Sequence, residues 1–403
     1  MTGRDPDEPH RTATPLELLF DLTVVVSFSL AGSQTAHLLE VGHWGPAIGG
    51  FCFAVFAIWW AWINYSWLAS AYDNDDVFFR LATLAEMIGV LVLALGIPPL
   101  FHSLDAGAHV DTTVVAAGYV IMRLATVALW LRAARHDPTH RRTALTYAAC
   151  VSGAQLCWIV LIVLNMPLAP TLALTVCVIV FELAGPYIAE HGTGGGTPWH
   201  AHHIAERYGL LVIITLGEIV LGTILAISAV IEQQGWSVEA MALAFGGTAL
   251  AFGLWWAYFT MPSAAMLARF RERGFTWGYV HYVIFLGLAA TGAGLHVAAS
   301  EIDGTAEVST VQALLTVVVP VGVVQVGLLL VHSLLLRQHD ALRLGLFIGS
   351  IVVLSLAVVA VAAGASFGVG ILITAGSPFV IVIGFELVGH RRQEIALERA
   401  LTD

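Results

Sequence analysis

The sequence predicts an all-α polytopic membrane protein, with about twelve transmembrane helices in two parallel six-helix pseudo-repeats. Three observations predict it: composition, the length and spacing of the apolar runs, and three strings that recur in order. Of 403 residues, 58% are apolar and 11% are charged. Soluble domains carry about 45–50% and about 25%, so a disordered, collagen-like or ordinary soluble chain is excluded. Crossing roughly 30 Å of hydrocarbon takes about 20 helical residues.

Twelve apolar segments meet that length: 16–39, 46–70, 78–101, 111–133, 143–165, 168–189, 204–230, 238–261, 277–299, 309–334, 342–363 and 369–389. They are too continuous for amphipathic soluble helices and do not alternate like barrel strands, so they read as helices. The chain divides into a cytoplasmic tail (1–15), a first half (16–190), a Gly/His-rich cytoplasmic linker (191–203), a second half (204–389) and a cytoplasmic tail (390–403). The first 15 residues carry both charges and are not a basic secretory leader, so the first span is expected to be retained.

All 17 basic residues are arginine. With the N-terminus inside, sixteen fall on the cytoplasmic side; the other, Arg123, lies within a span. The positive-inside rule then places both termini in the cytoplasm. The net charge of −11 and the lack of a basic tract give no reason to expect nucleic acid. Cys52, Cys150, Cys157 and Cys177 lie in apolar runs without a CxxC, so neither a disulfide framework nor a thiolate zinc site is read. No GxxxxGK[ST] loop is present, which disfavours a self-powered ATP pump.

The repeat rests on three strings. Trp59-Trp60-Ala61-Trp62 recurs as Trp255-Trp256-Ala257-Tyr258. Arg135-His136-Asp137 recurs as Arg337-Gln338-His339-Asp340. Phe181-Glu182-Leu183 recurs as Phe385-Glu386-Leu387. The offsets are 196, 203 and 204 residues. Six spans per half is even, so the halves share an orientation.

Glu17-Leu18-Leu19-Phe20-Asp21 and the Trp-rich second span are joined by Asp73-Asn74-Asp75-Asp76 with Phe79-Arg80-Leu81, by Met122-Arg123, and by Trp130 through Arg135. His203-Ile204-Ala205-Glu206-Arg207-Tyr208 and Leu216-Gly217-Glu218 complete the set. Together these strings resemble the low temperature requirement A (LtrA) family of bacterial integral membrane proteins, nearly end to end. The resemblance implies a multi-pass protein of the bacterial inner or plasma membrane. It implies no settled substrate, cofactor or catalytic residue.

Ionisable groups inside spans cost at least about 2.5–3.5 kcal/mol each on insertion scales, so they mark paired or functional positions. Glu17 and Asp21 are i, i+4 on one face of the first span and, as like charges, are expected to raise at least one pKa or to share a proton or cation. Glu17 also suits the first turn of a helix, where the dipole favours an acid. Glu86 and Arg123 lie at matching depth on consecutive antiparallel spans and are expected to pair. Glu218, near mid-membrane beside Gly217, with no arginine expected at its depth, is the leading proton-carrier candidate. Gly217 is expected to let a neighbour approach. Glu182 and Glu386 occupy equivalent places and read as scaffold.

Among the loops, Asp73, Asp75 and Asp76 with Arg80 form an acidic inner motif, and Arg269, Arg271 and Arg273 form its basic counterpart. Their charges suggest an inner gate; helix capping and lipid anchoring are the alternative. His203 and Glu206 are i, i+3, a spacing that can share a metal. Trp59, Trp62, Asn64, Tyr65 and Trp255 read either as cavity lining or as an aromatic belt. The functional expectation is a proton-coupled secondary transporter of an unidentified small solute or ion, with the lipid bilayer as partner and no cofactor implied. The alternatives are an intramembrane enzyme acting on a lipid or isoprenoid, and a non-transport protein linked to low-temperature growth.

Overall fold

The computed structural model describes residues 1–9, 11–192, 194–336 and 341–390. The Arg337–Asp340 string and the arginines of the C-terminal tail lie outside the described residues. Every regular element among the described residues is helical: α1 (Pro15–Glu40), α2 (Trp44–Tyr72), α3 (Val77–Leu95), α4 (Ile97–Ala106), α5 (Thr113–His136), α6 (Arg141–Leu164) and α7 (Leu168–Glu190). They continue as α8 (Ala201–Gln234), α9 (Val238–Phe259), α10 (Ser263–Arg269), α11 (Gly274–Ile302), α12 (Thr310–Leu336), α13 (Ala341–Ala362) and α14 (Phe367–Gly384).

Among the described residues, twelve helical stretches are long and apolar enough to cross a membrane. Two of them are broken. The third runs from Val77 to Ala106 through a break at Gly96, which separates α3 from α4. Pro98 and Pro99 follow; prolines lack the N–H a continuous helix needs but suit a helix's first turn. The eighth breaks between α9 and α10 at Met261-Pro262 for the same reason. Surface patterning agrees with lipid contact. Leu344, Ile348, Val352, Leu356 and Val359 on α13 are all exposed, a stripe that water would not tolerate.

The chain forms two compact units. The first comprises residues 1–34 and 46–207, the second residues 35–45 and 208–403. In the first unit, α3 and α5 cross backbone to backbone. A Cβ built at Gly118 would lie 2.5 Å from the carbonyl oxygen of Gly89, so only glycine permits the approach. Trp130 of α5 stacks flat on Tyr147 of α6, centroids 4.2 Å apart. In the second unit, α11 packs on α12, and α14 packs on both α9 and α13. Ser350 of α13 donates to the carbonyl of Ser377 in α14 at 2.8 Å.

Candidate functional site

The densest buried polar cluster described lies in the first unit. It is built from two i, i+4 pairs that face each other. Glu17 and Asp21 project from α1, and His203 and Arg207 from the start of α8. All four side chains are fully buried, at 0% exposure. Arg207 donates to both carboxylate oxygens of Asp21, at 2.8 and 2.7 Å. The planar guanidinium fork matches a carboxylate in this way, whereas a lysine ammonium would not. Arg207 also donates to Ser66 Oγ at 3.2 Å, and its guanidinium sits 5.7 Å from the Trp62 ring. Trp62 Nε1 donates to Asp21 Oδ1 at 2.7 Å.

One turn nearer the N-terminus of α1, His203 Nε2 lies 3.1 Å from Glu17 Oε1 and 3.2 Å from Oε2. Glu17 Oε2 accepts from the Thr14 N–H at 2.7 Å, while Thr14 Oγ1 accepts from the Glu17 N–H at 3.3 Å. This reciprocal capping box starts α1. Glu17 therefore serves as a first-turn cap and as a partner in the ladder.

Arg207 was not among the groups expected inside a span. Read from the sequence, the seventh span begins at 204, which puts Arg207 at its mouth. The helix begins at Ala201, so Arg207 lies almost two turns in and is wholly buried. The available signal was the HxxxR spacing of His203 and Arg207, which matches ExxxD in Glu17 and Asp21. His203 and Glu206, whose i, i+3 spacing could share a metal, face different groups. His203 turns to Glu17, and Glu206 Oε2 accepts from the Ala13 N–H at 3.2 Å, so the two serve different partners.

The expected Glu86–Arg123 ion pair is corrected. Arg123 bridges to Glu182 of α7 at 3.1 Å, and Glu86 accepts from Thr126 Oγ1 at 2.5 Å. Depth fixes height along a helix but not which neighbour a side chain faces; Arg123 faces α7. Glu182 thus has the scaffold contact expected of it. Glu386 likewise accepts from Trp256 Nε1 at 3.2 Å. Arg123→Met is expected to leave Glu182 without its guanidinium and to cost about 1–3 kcal/mol, because the stranded carboxyl can take up a proton. Thermal unfolding of the purified protein checks this, and the double change with Glu182→Met should recover most of the loss. Glu86→Gln keeps the oxygen that accepts from Thr126, so its effect should stay within about 1 kcal/mol.

Glu218 is buried in the second unit at 7% exposure. Its expected neighbour glycine is not the one that makes room. A Cβ at Gly217 would meet nothing within 4 Å, whereas one at Gly292 of α11 would lie 2.7 Å from Glu218 Cβ. The close approach is therefore made by α11.

The acidic loop is held within the first unit. Asp75 pairs with Arg80 at 2.7 Å. Asp76 caps α3 by accepting from the Phe79 N–H at 2.9 Å, and it is also gripped by Arg132. The Arg132 hydrogen bond holds the Asp76 carboxyl well below the usual carboxylate range. Asp73 is buried and accepts from the Asp75 N–H at 2.7 Å; burial pushes its carboxyl up. In the second unit, Arg269 and Arg273 both stack on Phe270, at 5.3 and 3.9 Å, and Arg271 opens the 3₁₀ turn between them.

Of the aromatic candidates, Trp62 belongs to the ladder. Tyr65 shares a hydrogen bond with Thr83 at 3.2 Å, and Asn64 donates to the Trp60 carbonyl at 2.7 Å. Trp59 is buried against Trp60 and Phe56. Trp255 is 37% exposed and stacks on Phe252. A cavity of about 50 Å³ does open in the second unit between α9, α12, α13 and α14, where Gln325, His332 and Arg343 supply the polar wall.

Among the described residues, twelve membrane-length helical stretches and a fully buried ladder of four ionisable side chains define a polytopic membrane protein with ionisable groups set into its spans. Residues 12–377 match the family model described as bacterial low temperature requirement A protein (LtrA), and the chain belongs to that family. It is also 26% identical, over 250 residues, to an uncharacterized protein of Rhizobium meliloti (strain 1021). That match covers 60% of this chain, and the chain spans 57% of the relative's length.

Proposed function

We propose that this LtrA protein is a proton-coupled secondary transporter of a small solute, with both termini cytoplasmic and the proton carried at the Glu17–His203 pair. The observation that carries the reading is the ladder itself. Buried ion pairs are weak sources of stability, because desolvation offsets most of their attraction. Four ionisable groups in adjoining turns of two spans therefore point to use rather than to scaffolding. The two rungs differ in chemistry. Asp21 and Arg207 form a fixed, bidentate charge pair. Glu17 and His203 form a rung of another kind, since an imidazole, unlike a guanidinium, can gain or lose a proton near neutral pH.

Glu218 in the second unit remains a second carboxyl on the same reading. The recurrence of Trp-rich, Asp-containing and Phe-Glu strings supports two like halves, the arrangement from which alternating access is built. The arginine asymmetry supports the orientation.

The test is flux in proteoliposomes carrying an internal pH dye, over a panel of inorganic ions and small solutes, with and without a pH gradient. At least one solute should move with protons. Glu17→Gln should cut that gradient-driven flux about tenfold or more while leaving expression and thermal stability near wild type. If Glu17→Gln protein transports like wild type under a gradient, the proton does not travel at this pair. If no solute moves with protons, the transporter reading fails.

A further inference from the structure

The geometry points to a pH-sensitive strap: the N-terminal segment closes one end of the first unit and is latched there by neutral His200. The inference stands on the contacts of that segment and holds whether or not the protein carries protons.

The segment is fastened along its length to the carbonyl end of α2. The Arg4 N–H donates to the Ala71 carbonyl at 2.9 Å, and Arg4 Nη1 to the Asp73 carbonyl at 3.0 Å. Arg11, 7% exposed, donates to the Ala69 carbonyl at 3.3 Å. Cationic groups on the last carbonyls of a helix are favoured by its dipole. The segment's far end joins the ladder through Ala13, bound to Glu206, and Thr14, bound to Glu17. Between these anchors lies the latch. His200 Nε2 donates to the Glu8 carbonyl at 2.9 Å. His200 Nδ1 accepts from the His203 N–H at 3.2 Å, and the His200 N–H donates to Ser70 Oγ at 3.0 Å.

One ring nitrogen donates and the other accepts, which only the neutral imidazole can do. A proton on Nδ1 would turn that acceptor into a donor facing the His203 N–H. The groups that face His200 are Glu8 and Arg11 of the segment and His202 of α8, with the His203 N–H against Nδ1; α2 presents the Ser70 hydroxyl. Burial pushes the His200 imidazole down from its ordinary value of 6.5, so the latched form binds fewer protons than the released one. The latch is therefore at full strength above about pH 6.5 and weakens as the pH falls below it.

Amide hydrogen exchange of the full chain in lipid nanodiscs reads this directly. At pH 7.5, the amides of Arg4, Ala13, Thr14 and His203 should be protected. At pH 5.5, after correction for intrinsic exchange rates, their protection should fall, by at most about tenfold for a released imidazole titrating at 6.5, while amides of α5 stay protected. His200→Gln cannot charge and should hold the strap at both pH values, with His200→Asn as a second uncharged variant if the first misfolds. His202→Gln should leave the pH response in place. Protection that does not change with pH overturns the inference. So does a pH response that survives in the uncharged His200 variants, or one that disappears with His202→Gln.

Discussion

Asp21→Asn is expected to destabilise the protein more than any other near-isosteric change in the first unit, by about 3–5 kcal/mol. Asparagine fills the same space and still offers an oxygen to Trp62 Nε1, so the loss isolates charge. Arg207 would remain fully buried with a guanidinium and no carboxylate to receive its two parallel hydrogen bonds, now at 2.8 and 2.7 Å. Ser66 Oγ accepts one of its protons but carries no charge. Arginine cannot relieve the cost by losing a proton. Arg207→Met should cost less, because a stranded Asp21 can take up a proton. The double change should cost less than the two single losses combined, since contacting charges couple. Thermal unfolding of the four proteins in one detergent measures the cycle. Additive losses would mean that the pair is not energetically coupled.

Number and length of spans follow from hydropathy alone, because the bilayer sets both. The breaks at Gly96 and Met261-Pro262 were marked by their glycine and prolines, yet apolarity ran straight through them, so both read as single spans. The buried acids at 17, 21, 86, 182 and 218 were visible because a charge in an apolar run is conspicuous. Their partners were not. Arg207 stood too near the start of its run to be distinguished from a loop arginine. Depth alone pairs Arg123 with Glu86, although azimuth around the helix decides between α3 and α7 and leaves no trace in a single sequence. The His200 latch was hidden for a related reason: it depends on a main-chain carbonyl and a main-chain N–H, and residue type says nothing of where those point.

Gly294→Ala is the change expected to do most damage in the second unit, while Gly217→Ala should do almost none. A Cβ at Gly294 of α11 would lie 2.5 Å from the carbonyl carbon of Thr316 and 2.9 Å from the Val317 nitrogen, both main-chain atoms of α12. No side chain can rotate aside to relieve this. The Thr316 hydroxyl lies at the same point, 3.2 Å from the Gly294 carbonyl and 2.6 Å from the Ala313 carbonyl of its own helix, between which its one proton is shared. One methyl must therefore push the two backbones apart and loosen packing along the crossing. Overpacking typically costs about 1–3 kcal/mol, and contact with backbone puts this case at the upper end or beyond. At Gly217 the added methyl meets nothing within 4 Å. There alanine relieves glycine's helical cost of about 0.5–1 kcal/mol, so stability should hold or rise slightly. Shrinking the partner side chain by Thr316→Ser should not rescue Gly294→Ala, because the obstruction is main chain. Thermal stability of the three variants decides the matter. A Gly294→Ala protein as stable as wild type, or one rescued by Thr316→Ser, would show that α11 and α12 do not cross backbone to backbone at this point.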